Sequence, residues 1–233
     1  MTANKITFTL PKSYPSTCTC YFSVYLNGIG EATINWGDGT VETIECSSDK
    51  NTFYRHVYPK TEKYKHAITV EIIGDITWFL ASHSEITNID VSQNAVLTDL
   101  DIAFNKITVL DISKNVALKH LDCAGNKLTN LDVSQNTALT CLLVYKNRLT
   151  SLDISKNIAL ENFACYGNRL TALDISANAA LTDLECSDNQ LTSIDVSANP
   201  KLCYFECGNN PIAALDNRDI ERKKDKIEDV KNK

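Results

Sequence analysis

The stretch LDISKNVALKHLDCAGNKLTN, Leu110 to Asn130, is followed at once by LDVSQNTALTCLLVYKNRLTS, Leu131 to Ser151, which is nearly the same phrase again. Working outward, the tetrapeptide [LI]D[VI]S begins at Ile89, Leu110, Leu131, Leu152, Leu173 and Ile194, each 21 residues after the last. Leu215–Asp216 opens a seventh copy. A finer rhythm is nested inside the first. Apolar residues from Leu97 through Ile107, Leu118 and Leu128 to Ile212 step alternately by ten and eleven, and asparagines from Asn94 through Asn105 and Asn115 to Asn210 keep the same step. A fixed period of this size means that each unit is one supersecondary element whose apolar face is covered by its neighbours.

Each half-unit reads LxxLxLxxN, as in LTDLDIAFN from Leu97 to Asn105. Alternate side chains of an extended segment point to opposite sides. In LDI the apolar pair therefore turns inward and the aspartate outward. Asparagine at the bend offers hydrogen bonds to the turning backbone. A 21-residue coil has no room for a helix and two turns, so we expect a flat coil, with a strand in one half and a strand or tight extended segment in the other. The half-unit resembles the leucine-rich repeat, L-x-x-L-x-L-x-x-N-x-L, in the doubled 21-residue form of bacterial surface proteins. The resemblance covers about Ile76 to Asp216. Upstream, ITWFLASHSEITNI (Ile76–Ile89) fits the frame as a degenerate first coil, with Ile76, Phe79, Ala81 and Ile86 in apolar slots and Ser84 in the asparagine slot. Downstream, residues 217–233 are charged and are expected to form a capping helix or a tail, since a solenoid end needs a polar cover.

Residues 1–75 do not follow the repeat. Short alternating runs such as ITFTL, CYFSVYL, VETIEC and FYRHVY, separated by turn residues, predict a small β-sandwich. NWGDGT (Asn35–Thr40), HVY (His56–Tyr58) and ITVEI (Ile68–Ile72) resemble PKD-like, immunoglobulin-type domains, with PKTEKYKHA (Pro59–Ala67) departing from the family's short glycine-containing turn. That resemblance implies a spacer or adhesion module, with Trp36 in the core and Asp38–Gly39 in a tight turn. The expected architecture is mainly β: an N-terminal immunoglobulin-like β-sandwich (1–75) followed by a leucine-rich repeat solenoid (76–216). The gap between Ile73 and Ile76 holds no linker, which predicts a rigid joint.

Hydrophobic residues make up 43% of the 233-residue chain and charged residues 22%, which fits an ordered globular protein. The net charge of −6 argues against a nucleic-acid partner, because phosphates need a basic face. No apolar run is long enough to cross a bilayer, and MTANKITFTL has the charge pattern of no signal peptide. The resemblance to surface proteins points to the cell surface or to secretion, with the cytoplasm as the alternative.

Of nine cysteines, Cys123, Cys165, Cys186 and Cys207 share the second apolar slot of LxL with Ile102 and Val144. A slot filled by Ile, Val and Cys is a core slot, where free Cys acts as a small hydrophobe. Parallel side-by-side Cβ vectors disfavour disulfides there, and Cys18–Thr19–Cys20 lacks zinc-knuckle spacing. Asp90, Asp111, Asp132, Asp153, Asp174, Asp195 and Asp216 are expected to form a solvent-facing column on stacked strands. Neighbours at ~4.8 Å would repel by about 0.9 kcal/mol in water. Hydroxyls of the serines two residues on, with Lys114 and Lys156, could offset this. Calcium is the other reading, although the glycine–aspartate signature of calcium β-helices is absent.

No nucleophile elbow, Walker loop or H-E-x-x-H occurs. We expect no catalysis, no cofactor and no metal, and a monomeric module binding a protein or a glycan. The alternatives are a structural spacer and, further off, a cation-binding or carbohydrate-active protein. In the half without the fixed aspartate the outward slots vary. One column runs Asp99, His120, Cys141, Asn162, Asp183, Tyr204; the next Asp101, Asp122, Leu143, Ala164, Glu185, Glu206; a third Ala103, Ala124, Tyr145, Tyr166, Ser187, Gly208. The candidate ligand-binding residues are His120, Leu143, Tyr145, Tyr166, Tyr204, Asp101 and Asp122.

Overall fold

The computed structural model describes residues 4–11, 21–48, 52–58 and 67–212. The expected cap at 217–233, Leu215–Asp216 and the Cys18–Cys20 pair lie outside these residues. Twelve strands and no helix occur among the described residues. They run β1 (Lys5–Leu10), β2 (Tyr21–Asn35), β3 (Val41–Cys46), β4 (Thr52–Val57), β5 (Ile68–Leu80), β6 (Asn88–Asp90), β7 (Asp99–Asp101), β8 (His120–Asp122), β9 (Cys141–Leu143), β10 (Asn162–Ala164), β11 (Asp183–Glu185) and β12 (Tyr204–Glu206).

From β7 to β12 the coils stack as a solenoid, each three-residue strand pairing in parallel and in register with the next, so that Leu100, Leu121, Leu142, Phe163, Leu184 and Phe205 form one line. Leu100 through Leu184 in that line are buried, and Phe205, with no following strand among the described residues to cover it, is only partly so. The strands are short because the frame forces a turn after LxL. The residue before each strand-side asparagine, and before Ser84 in the first coil, takes a positive φ: His83, Phe104, Gly125, Lys146, Gly167, Asp188 and Asn209. That left-handed step turns the chain off the sheet.

Two asparagine ladders then hold the bends. After each strand, Asn147 is typical: its Nδ2 donates to Val144 O and Cys123 O at 3.0 Å each, and its Oδ1 accepts from Leu128 N at 3.0 Å. In the degenerate first coil, Ile76, Phe79, Ala81 and Ile86 are buried, and Ser84 N donates to Asn105 Oδ1. The second ladder is served on one side only. Asn136 Nδ2 donates to Ile112 O and Asn115 O, whereas the Oδ1 atoms of Asn94, Asn115, Asn136, Asn157 and Asn178 are buried with no hydrogen-bond donor among the described residues.

The aspartate half differs from expectation. The LDI alternation is kept, with Leu110 and Ile112 buried and Asp111 exposed. Yet only the first copy is strand, in β6, which pairs with β1. In the later copies no backbone hydrogen bond joins one [LI]D[VI]S segment to the next among the described residues. The aspartates therefore stand on turns, not on a sheet. Each accepts the backbone N–H two residues on: Ser113 N to Asp111 Oδ1 at 2.9 Å, Ser134 N to Asp132 at 2.8 Å, and likewise to Asp195.

The N-terminal strands grip the first coil at two edges, β5 pairing with β7 and β1 with β6. β5 runs unbroken through residues 75 and 76. Trp36 is fully buried, with His56 stacked on it at 5.0 Å and Tyr58 donating to its carbonyl at 2.9 Å. His56 Nε2 donates to Asp38 Oδ2 at 2.7 Å, and Asp38 Oδ1 accepts Thr40 N to close the turn. Cys123, Cys165 and Cys186 are free and buried. Burial pushes the thiol of Cys186 up to about 12 and those of Cys123 and Cys165 well above the usual range. Cys207, on the last described coil, is only half-buried because nothing described follows to cover it.

Candidate functional site

Because each strand buries its middle residue, the flanking two face outward, and parallel register lines them up across coils. Asp101, Asp122, Leu143 and Ala164 are thus consecutive on one row, as are Asp99, His120, Cys141 and Asn162 on the other. Trp78, Asp99, Asp101, His120, Asp122 and Leu143 line a shallow groove of about 260 Å³ over these rows.

The acidic end of the groove is tied together. His120 Nδ1 donates to Asp99 Oδ1 at 2.6 Å, and Ser82 Oγ donates to Asp101 Oδ1. Ala103 N and Ala124 N donate to Asp101 and Asp122 at 3.1 and 3.0 Å. Burial, with Asp101 alongside, pushes the Asp122 carboxyl up to about 6 despite that amide.

Beside the groove the third column carries the aromatics. Tyr145 and Tyr166 stack with ring centres 4.5 Å apart and planes 8° apart. Burial, then the Asp122 charge, raises the Tyr145 hydroxyl above its ordinary value; burial and Glu185 do the same for Tyr166. Two residues absent from the expected set extend this stack. Phe104 meets Tyr145 edge-on at 6.1 Å, and His83 lies flat on Phe104 at 4.6 Å. Phe104 reaches across an entire coil because residue 125 is glycine. A Cβ there would sit 2.5 Å from the Phe104 ring, and its φ is +63° as well. The mixed column of His, Phe, Gly, Lys, Gly, Asp and Asn, one position before Ser84 and then before each asparagine, was the signal for this left-handed slot.

Of the candidate residues, His120, Asp101, Asp122 and Leu143 meet in the groove, and Tyr145 and Tyr166 flank it. Tyr204 stands apart on β12, exposed. A hydrogen bond with Glu206 pushes its hydroxyl up to about 12. Three outward slots expected to vary on the surface are instead covered: Ala103, Ala124 and Ala164 are buried, their methyl groups too short to clear larger neighbours. No group of three or more metal-ligating side chains occurs among the described residues, and no described helix is long and apolar enough to cross a membrane.

No family model matches the chain, and no curated protein does. Solved structures do. The functional domain of InlJ from Listeria monocytogenes, which includes a cysteine ladder, superposes with a TM-score of 0.59 and 38% identity over 60% of this chain and 31% of that one. A leucine-rich repeat protein from Leptospira interrogans gives 0.53 and 26%, over 57% of this chain and 36% of that one. The chain thus spans about a third of the length of each. Its structural neighbours are bacterial leucine-rich repeat proteins, and its own coils form a β-solenoid of the same kind.

Proposed function

We propose that this chain is a non-catalytic binding module of a bacterial surface or secreted protein. It recognises a protein or glycan through the outward strand face of a solenoid spanning residues 76–216. The N-terminal unit, residues 1–75, is a PKD-like, immunoglobulin-type domain that holds the first coil. The convergence of Trp36, Asp38, His56 and Tyr58 supports the PKD-like reading, and the bacterial leucine-rich repeat neighbours support a binding role at the surface. The module acts as a monomer without cofactor.

The observation that carries this reading is the stacked pair Tyr145–Tyr166 beside the Asp101–Asp122 groove. Paired tyrosines give large contact area for little lost rotamer freedom and recur at binding hot spots. Screening the protein against a glycan array and a displayed peptide library should yield a ligand whose affinity falls more than about fivefold in Tyr145→Ala/Tyr166→Ala, over 1 kcal/mol, with the melting temperature nearly unchanged. A ligand insensitive to that pair would put the site elsewhere.

A further inference from the structure

The face that carries the groove does not end at the solenoid. Register carries it onward: Asp101 pairs with Leu80, Leu80 with Tyr25, and Tyr25 with Phe53, while Asp99 pairs with Trp78 and Trp78 with Asn27. Directly opposed residues project to the same side. Tyr25, Phe53 and Trp78 therefore share the side of Asp99, Asp101 and Asp122. They form a second aromatic cluster, with Tyr25–Phe53 ring centres 4.9 Å apart and Tyr25–Trp78 6.4 Å. Tyr25 and Phe53 remain 38% and 48% exposed. The acidic groove lies between this cluster and the Tyr145–Tyr166 pair.

Resting on the binding role proposed above, we propose that the recognition surface runs from the solenoid across β5, β2 and β4, and that its occupant is an extended basic peptide segment of a protein partner. Charge selects the occupant. In the first two outward columns from β7 to β12 stand Asp99, Asp101, Asp122, Asp183, Glu185 and Glu206, and no Lys or Arg. Lys106, Lys127, Arg148 and Arg169 follow the asparagine ladder instead; the cations near this surface include Lys146, whose Nζ lies 5.9 Å from the Tyr166 ring centre, and Arg55 beside Phe53 on β4. An arginine fits both halves of such a surface, its guanidinium pairing with carboxylates and its plane stacking on tyrosine. A neutral sugar would cover Asp101 and Asp122 without compensating their charge, which costs free energy. Dimensions select an extended form. Phe53 on β4 to Leu143 on β9 crosses five strand gaps of ~4.8 Å, roughly 24 Å, which a chain at ~3.3 Å per residue spans in about seven or eight residues.

Fluorescence polarisation of the full chain with labelled peptides tests this. A ten-residue arginine–glycine repeat should bind more than tenfold tighter than its four-residue form, which cannot span both clusters, and than its glutamate analogue. Asp101→Asn/Asp122→Asn should weaken it at least tenfold. Phe53→Lys, which places a cation at an exposed position, and Tyr25→Ser should each weaken the long peptide about fivefold and leave the short one unchanged. Thermal unfolding confirms that each variant is folded. If Tyr145→Ala/Tyr166→Ala weakens binding while the Phe53 and Tyr25 variants do not, the extension is overturned and the solenoid site stands. If Phe53 and Tyr25 matter and the tyrosine pair does not, the binding role proposed for that pair fails instead. Binding of a neutral N-acetylglucosamine hexasaccharide without the peptide, or binding of neither, overturns the basic occupant.

Discussion

The two halves of each coil are written in the same nine-letter frame, and they are held in different ways. On the strand side the backbone itself links coil to coil, and the asparagine that follows is satisfied at both ends of its amide. On the aspartate side no backbone ladder joins the later copies of the tetrapeptide among the described residues, and an asparagine such as Asn136 uses only its Nδ2. The difference accounts for the spelling. Where backbone pairing fixes the stack, outward side chains are free to differ from coil to coil, although Asp101 and Asp122 still accept the N–H two residues on. Where it does not, an aspartate must close every turn by accepting the serine N–H. The monotonous aspartate is the substitute for a missing sheet.

The sharpest way to break this comparison is to remove one asparagine from each ladder. Asn147→Ala deletes two strong donor contacts and the acceptor for Leu128 N–H, leaving buried backbone groups unpaired. At about 1 kcal/mol per net bond, and more for each orphaned group, the loss should be about 3–4 kcal/mol. Asn136→Ala deletes two donor contacts and also removes an Oδ1 that had no donor, so the loss should be about 2 kcal/mol. Denaturant unfolding of the two variants measures the gap. Equal losses would mean that the two ladders carry the same weight.

Next comes the glycine pair in the left-handed column. Gly125→Ala meets both the positive φ and the Phe104 ring, and should cost about 2 kcal/mol while displacing Phe104 from Tyr145. Gly167→Ala meets only the positive φ and the flexible Lys146 side chain at 3.3 Å, and should cost about 1 kcal/mol. A change in near-ultraviolet circular dichroism for Gly125→Ala alone would confirm that the aromatic stack, and not strain by itself, distinguishes them.

The repeat made the solenoid, its buried line, the asparagine ladders and the variable rows legible in the letters. Those features depend on periodicity, which survives projection onto one dimension. Four others do not. The tetrapeptide alternates like a strand and buries like one, but whether it pairs depends on the spacing of the coils, which no single coil encodes. Phe104 joins Tyr145 only because a residue one coil further on, Gly125, lacks a side chain. Tyr25, Phe53 and Trp78 reach the face of Asp101 through pairings between β4, β2, β5 and β7, between residues up to 55 positions apart in sequence. Cys207 reads as core by position, yet core membership also needs a following coil, and none follows it among the described residues.

A smaller contrast sets the two kinds of aspartate against each other. Asp122, on the strand side, has its carboxyl raised from an ordinary 3.8 to about 6 by burial and by Asp101. Its folded form binds a proton more tightly than its unfolded form, so its ionisation destabilises the fold as pH rises from about 4 through 6. A shift of that size corresponds to about 3 kcal/mol, which solvent screening of this partly exposed group reduces to about 1 kcal/mol. Asp122→Asn keeps an oxygen for Ala124 N and should stabilise the protein by about that much at pH 7.5. The gain should vanish below pH 4. A variant no more stable at pH 7.5 than the parent would mean that the groove leaves Asp122 fully solvated.

The smallest effect belongs to the aspartate side and carries the opposite sign. The backbone N–H of Ser134, then its hydroxyl, holds the Asp132 carboxyl below the ordinary value, against a weaker push upward from Asp111 and Asp153. Here the ionised form is the one the fold prefers. Its contribution is present above the unfolded-state value and is lost as pH falls through the lower folded-state value. Asp132→Ala removes a turn closure on a fully exposed side chain, so it should lower the melting temperature at neutral pH by less than any destabilising substitution above. The difference from the parent should narrow toward pH 2. Melting curves of Asp122→Asn and Asp132→Ala across pH 2 to 8 should therefore depart from the parent in opposite directions as pH rises. If both depart the same way, the turn-closing aspartates are not what holds the unpaired side of the coil.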